Sequence, residues 1–421
     1  MPQAIALLDC NNFYASCERV FDARLKTRPI VVLSNNDGCV ISRSDEAKEV
    51  GVPMGAKLYK VAGLIEESDG EIFSSNYELY GDMSDRVMGH LREFTPEIEI
   101  YSIDEAFLGL DESKKSFTRL GREIQETIEK RTGLPTSIGI AETKTLAKLA
   151  NRLARDSKKA KGVLDLFRSP YAELALKRTE VGKVWGIGPN YSRVLTENKI
   201  QTAFDLRQMD LRRARKLLSV VGARVVMELR GIKALPLDLD PPPRRSITCS
   251  RSFGQNVWEL KILREAVAVF LAQAAEKLRR HRLAAHAVTV FISTNRFNAP
   301  PEFYSNSATY SLTYPTDINH ELQTWAFDCL DKIFQTGFAY HKAGIVLSGL
   351  APADKLTTRM FDETRWQRFR NVMAAVDEIN RKFGRNTVRF AVANPNGAWQ
   401  GKCAYRSPRY TTRFDEVMQV R

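Results

Sequence analysis

The chain has 421 residues, 43% of them hydrophobic and 27% charged, which exceeds a single compact core and excludes a disordered or low-complexity polypeptide. Its net charge of +13 is uneven: residues 1–165 hold 23 basic against 27 acidic residues, and residues 166–421 hold 40 against 23. No run approaches a membrane span, the first ten residues lack a basic leader, and the six cysteines and five histidines show no zinc-ligand spacing, so a cytoplasmic protein with reduced thiols is predicted.

The chain opens with two apolar runs, AIALLDC (4–10) and RPIVVLSNNDG (28–38), that read as buried strands. A helical stretch near 44–50 and a longer one at 77–93 follow, the second stopped by Thr95-Pro96. EIEIYSIDEAFLGL (97–110) gives two β-prone runs meeting at a pair of acids. A helix near 116–132, the strand PTSIGIA (135–141) and an amphipathic helix over 144–155 complete an α+β region. Beyond residue 166 the pattern changes to short helices broken by glycines, as in VWGIGPNYSRVL (184–195) and LLSVVGARVVMELRG (217–231). Three prolines at 241–243 mark an extended linker. Residues 245–350 alternate three β runs with helices near 259–282 and 317–336, a second small α+β domain, and 351–421 is polar, basic and weakly patterned.

Asp9 ends an apolar strand, and Asp104-Glu105 lies between two β runs with no Gly, Pro or Asn to make a turn. Burying such carboxylates unpaired is costly, and no Lys or Arg lies beside Asp9 or Asp104 in sequence. Divalent metal is then the economical partner, since magnesium is held by carboxylates, waters and substrate phosphates. Taken one at a time, these acids also fit exposed strand ends.

The strings DCNNFYASCE (9–18), SSNYELYGDMS (74–84), YSIDEAF (101–107) and GIAETKTLAKLAN (139–151) resemble, in order, the signature blocks of the Y-family DNA polymerases. The likeness runs to about residue 350, is greatest to the UmuC branch, and includes the terminal SPRYTTR (407–413). The resemblance implies an α+β, multidomain right-hand polymerase. Its parts are a palm (1–22 and 82–165), fingers (23–81), a helical thumb with a helix-hairpin-helix (166–236), a linker (237–244), an α+β little finger (245–350) and a C-terminal partner-docking extension (351–421). It further implies error-prone synthesis across damaged template in the SOS response, with no proofreading domain. The competing readings are a non-catalytic scaffold of the same fold, which should lack a metal acid, and a palm-type cyclase, which has no use for a thumb.

By resemblance, two magnesium ions are held by Asp9, Asp104, Glu105 and the Cys10 backbone carbonyl. Tyr14 falls on the steric gate against the ribose 2′-hydroxyl, although an aromatic after a strand also suits a core. The triphosphate is assigned to Ser42, Lys48, Arg155 and the amides of Asn12 and Phe13. Asp45 stands where many relatives carry a phosphate-binding tyrosine, which leaves more to Lys48. On the 144–155 helix an apolar stripe of Leu146, Leu149, Ala150 and Leu153 leaves Lys144, Lys148, Arg152 and Arg155 on an exposed basic face. Primer-template DNA is expected at Gly186 and Gly188, which also suit an ordinary glycine-rich turn, and at Arg279, Arg280 and Arg282. Partners implied for the extension are a processed UmuD-type dimer, the RecA filament and the sliding clamp. The clamp peptide is degraded to TTRMF, leaving Met360 and Phe361 as anchors, and Phe361 equally suits packing on the little finger.

Overall fold

The computed structural model describes residues 4–111, 116–240, 242–353 and 363–417. They form two compact units, one of Met1–Ser34, Gly38–Pro241 and Tyr405–Arg421, the other of Asn35–Asp37 and Pro242–Ala404.

In the first unit the strand β1 (Ala4–Cys10) leads into α1 (Phe13–Phe21). Then come β2 (Ile30–Leu33), β3 (Val40–Arg43), α2 (Asp45–Glu49), α3 (Leu58–Glu67), β4 (Glu71–Ser74) and α4 (Tyr77–Leu91). The series continues with β5 (Ile98–Ile100), β6 (Glu105–Leu110), α5 (Phe117–Thr132), β7 (Thr136–Ala141), α6 (Lys144–Asp156) and β8 (Val163–Asp165). The main sheet has the order β5-β6-β1-β7-β8, with β1 antiparallel to both neighbours. The central strand is apolar on both sides because the sheet is covered on both. Ala4, Ala6, Leu8 and Cys10 enter one core with α1, α4 and α5, whereas Ile5 and Leu7 enter another with α6 and the helices after residue 170. β2, β3 and β4 form a separate three-stranded sheet with its own small core.

The helices after residue 170 are α7 (Ala172–Arg178), α8 (Pro189–Glu197), α9 (Ala203–Gln208) and α10 (Leu211–Leu229). The expected glycine breaks are only partly found. α10 passes through Gly222 and is interrupted at Ser219, where φ is +64°.

The second unit is a four-stranded antiparallel sheet, β9 (Ser246–Val257), β10 (Leu283–Ser293), β11 (Ser305–Thr316) and β12 (Tyr340–Pro352), in the order β11-β10-β12-β9. Two helices, α11 (Leu260–Arg280) and α12 (Asn319–Ile333), cover its apolar face. β11 had no counterpart among the sequence-derived strands. The tail, expected as one weakly patterned extension, divides. α13 (Glu363–Phe383) and Trp399, which packs edge-on against Phe270 with ring centroids 5.2 Å apart, join the second unit, while residues 405–417 belong to the first.

Candidate active site

The antiparallel register sets Asp9 at the end of β1 opposite Glu105 at the start of β6, and the Cys10 N–H donates to the Asp104 carbonyl at 2.9 Å. Three carboxylates from two sequence blocks thus lie at one end of the β1/β6 pair. Ser102 shapes the turn that delivers them. Its hydroxyl donates to Asp104 Oδ1 (2.5 Å) and accepts from the amides of Asp104 (3.3 Å) and Glu105 (3.1 Å). The Cys10 side chain lies in the core, where burial pushes its thiol well up, so only its backbone faces this chemistry.

No Lys or Arg lies beside these acids in sequence, yet the fold brings two cations to them. Gly139 lets α6 lie close on the sheet, since a Cβ there would meet the Asn151 nitrogen at 2.0 Å and the Ala147 carbonyl at 2.3 Å. α6 then delivers Lys148 Nζ to both Glu105 oxygens, at 3.1 and 3.0 Å, and Arg155 to 4.0 Å from Asp9 Oδ1. Lys148 also lies over the rings of Tyr101 (4.6 Å) and Trp185 (5.3 Å). Lys144 is buried and paired with Glu99. Two of the four cations assigned to an exposed face are therefore turned inward onto acids that lie more than 40 residues away.

Burial, then the charge of Glu105, pushes the Asp9 carboxyl up to about 7; Asp104 adds to this and Arg155 opposes it. Among the described residues no three His, Cys, Asp or Glu side chains converge as a preformed metal cage, and Glu105 is engaged by Lys148. The donors are nonetheless hard carboxylate oxygens whose mutual repulsion a divalent cation would relieve.

Beside the acids, Asn12 precedes α1 with φ +51° and gives its first turn no side-chain cap. The Asn12 side chain instead closes a triangle: Lys48 Nζ donates to Asn12 Oδ1 and Asp45 Oδ1, each at 2.7 Å, and Asn12 Nδ2 donates to Asp45 Oδ1 at 3.1 Å. Asp45, expected to leave more of the triphosphate to Lys48, is itself the ion-pair partner of that lysine. Ser42 is buried and bridges the Ala15 amide (3.3 Å) and the Asn12 carbonyl (3.4 Å). The Phe13 ring is in the core, which leaves only its backbone for a ligand. The Tyr14 ring stacks on Tyr80, with centroids 4.4 Å apart and planes 16° apart, and meets Tyr77 edge-on at 6.1 Å. Burial pushes the Tyr14 phenol up to about 12, so it is neutral at physiological pH.

Gly186 has φ +87° and Gly188 is the N-cap of α8, with open space where a Cβ would stand. That geometry lets a backbone approach a phosphate at a helix N-terminus. In the second unit Arg279 is withdrawn from the nucleic-acid set. It donates to both Asp377 oxygens (2.6 and 2.8 Å), to the Asp317 carbonyl and to Asn319, and so ties α13 to α11. Arg280 and Arg282 are exposed. Met360 and Phe361 lie outside the described residues. Sequence reasoning passed over Ser102, Tyr80 and Glu18 and set Lys148 on an exposed face rather than against Glu105; none of the four carries a local signal of its role.

Solved structures share this architecture: a Y-family DNA polymerase chimera, Dbh-Dpo4(243-245)-Dbh, matches 82% of this chain and 98% of its own, with a TM-score of 0.65 and 21% identity. Among curated proteins, UmuC of Salmonella typhimurium is 41% identical across 99% of this chain and 100% of its own length. MucB of Escherichia coli is 36% identical across 98% of both, and DNA polymerase IV of Moorella thermoacetica is 28% identical across 93% of this chain and 96% of its own. The protein is a DNA-directed DNA polymerase of the Y-family fold. Within that class it belongs to the impB/mucB/samB family, which matches residues 8–152, with the family's C-terminal domain over 244–360. Residues 370–420 match a domain of unknown function, DUF4113.

Proposed function

We propose that this polymerase copies damaged template with low fidelity in the SOS response, by nucleotidyl transfer with two magnesium ions at this end of the β1/β6 pair. The observation that carries the chemistry is the register that sets Asp9 against Glu105 beside Asp104, with the Asp9 carboxyl pushed to about 7 by burial and by its acidic neighbours. Asp9, Asp104, Glu105 and the Cys10 carbonyl would hold the ions, which when bound activate the primer hydroxyl and stabilise the departing pyrophosphate. Lys148 holds Glu105 in place and shares its charge. Arg155, at 43% side-chain exposure, is available to the triphosphate together with the uncapped first turn of α1. Ser42 fixes that turn through Ala15, and Lys48, held by Asp45, contributes less. The Tyr14 ring bars a ribose 2′-hydroxyl.

In this reading the main sheet is the palm, the three-stranded sheet the fingers, residues 166–236 the thumb, and 245–350 the little finger that follows the 237–244 linker. Template and primer are gripped through Gly186, Gly188, Arg280 and Arg282. Likeness to UmuC over the full length supports a processed UmuD-type dimer, the RecA filament and the sliding clamp as partners, with Met360 and Phe361 as the clamp anchor. Work in the cytoplasm on damaged nucleoid DNA goes with this reading, and among the described residues no helix is long and apolar enough to cross a membrane.

The test is primer extension opposite an abasic site, with and without a UmuD-type dimer, RecA filament and clamp. Bypass with frequent misinsertion is expected. Extension that stops before the lesion under every condition, while undamaged template is copied, would refute the translesion assignment.

A further inference from the structure

Residues 405–410 return to the first unit and close over α1 and α4. Tyr405 pairs with Ser74 through two hydrogen bonds, its N–H donating to Ser74 Oγ and its carbonyl accepting from the Ser74 N–H, each at 3.0 Å. The Asn76 amide, fully buried, donates to the Ser407 carbonyl (3.1 Å), Ser407 Oγ (2.9 Å) and the Pro408 carbonyl (3.2 Å). Arg409 reaches Glu78 at 3.2 Å, and Tyr410 stacks on Phe21 with centroids 4.9 Å apart. A surface tail with no role in the fold would not satisfy a buried amide in this way.

Two routes lead from this segment to Tyr14. Ser407 Oγ donates to Glu18 Oε1 at 3.0 Å, and the Tyr80 hydroxyl donates to the same oxygen at 2.6 Å; Tyr80 is the ring on which Tyr14 stacks. Asn76, held by Ser407 and Pro408, also caps α4 by accepting from the Leu79 N–H at 3.4 Å, and α4 carries both Tyr77 and Tyr80. Glu18, Tyr80 and Asn76 are all buried, so each has few other ways to hold its place.

We propose that the 405–410 strap, the part of the domain of unknown function that joins the first unit, is a positioning element for sugar discrimination, with Ser407 setting the Tyr80 ring that supports Tyr14. This rests on Tyr14 acting as the steric gate. Ser407 and Tyr80 touch no substrate; they act through Tyr14. A buried polar network of this kind fixes one ring position. Loosening it lets the gate yield to a 2′-hydroxyl without removing the gate.

The test measures kcat and KM for a deoxynucleotide and the matching ribonucleotide on an undamaged primer-template, in the full chain. Ser407→Ala and Tyr80→Phe each remove one donor to Glu18 and should lower the deoxy-over-ribo ratio of kcat/KM about tenfold, chiefly by lowering the ribonucleotide KM. Glu18→Gln keeps the accepting oxygen and should hold the ratio within about twofold. Tyr14→Ala is the reference for the gate itself, and Phe117→Ala, which removes a ring packed edge-on against Phe167, weakens the same core outside the Ser407–Glu18–Tyr80 hydrogen bonds. If Tyr14→Ala lowers the ratio while Ser407→Ala and Tyr80→Phe match wild type, the strap proposal is overturned and the gate stands. An unchanged ratio in Tyr14→Ala removes the gate and the strap's role with it. A fall in Phe117→Ala as large as in Ser407→Ala would show general loosening and also overturn the proposal.

Discussion

Two carboxyls of the first unit, Asp9 and Glu18, are both pushed up to about 7, and for different reasons. At Asp9 burial acts together with the charges of Glu105 and Asp104, so acids have been gathered in spite of their repulsion. At Glu18 burial acts alone and is opposed by the hydroxyls of Tyr80 and Ser407, so one acid has been enclosed and given donors. The first arrangement keeps acids together although Arg155 only partly offsets their repulsion. The second is a structural pin. The cause of a shift separates the two where its size does not.

The largest expected effect tests the acid cluster. Replacing Asp104 with Ala should reduce primer extension by on the order of a thousandfold, because the lost charge serves the transition state. Primer-template affinity should stay within a few-fold. Extension above about a hundredth of the wild-type rate would place Asp104 outside the chemistry.

Glu18 gives the next effect, on stability. Its pKa is raised in the fold from 4.5 to about 7, so the stability it contributes is fully present below 4.5 and is lost as pH rises through 7. Glu18→Gln removes that loss and should therefore gain on wild type by on the order of 3 kcal/mol between pH 5 and pH 8. Urea midpoints of both proteins at the two pH values measure it. A difference that does not change with pH would mean that Glu18 is ionised throughout.

The smallest effect sharpens the reading of Lys148. If it occupies Glu105 as a stand-in for metal charge, Lys148→Met should lower the magnesium concentration for half-maximal extension about fivefold, even as the maximal rate falls. An increased magnesium requirement would instead make Lys148 a necessary part of the site.

Much of this was legible in the sequence, because its signals are local. A period of 3.6 residues marks α4, α5 and α6, a continuous apolar run marks β1 as a strand covered on both faces, and acids at strand ends mark where charge is concentrated. What only the tertiary structure decided are pairings between distant residues. Lys148 read as a solvated cation on its own helix, yet sheet register and the close approach at Gly139 bring it to Glu105. Arg279 read as part of a basic cluster for DNA, and α13, 98 residues away, takes it for Asp377. Ser407 lies 389 residues from Glu18, and nothing in SPRYTTR foretells that a buried amide and a buried carboxyl need its hydroxyl. Local sequence sets which faces are apolar and which backbone shapes are open. Which buried polar group meets which donor depends on how strands and helices are stacked, and that is settled only when the whole chain packs.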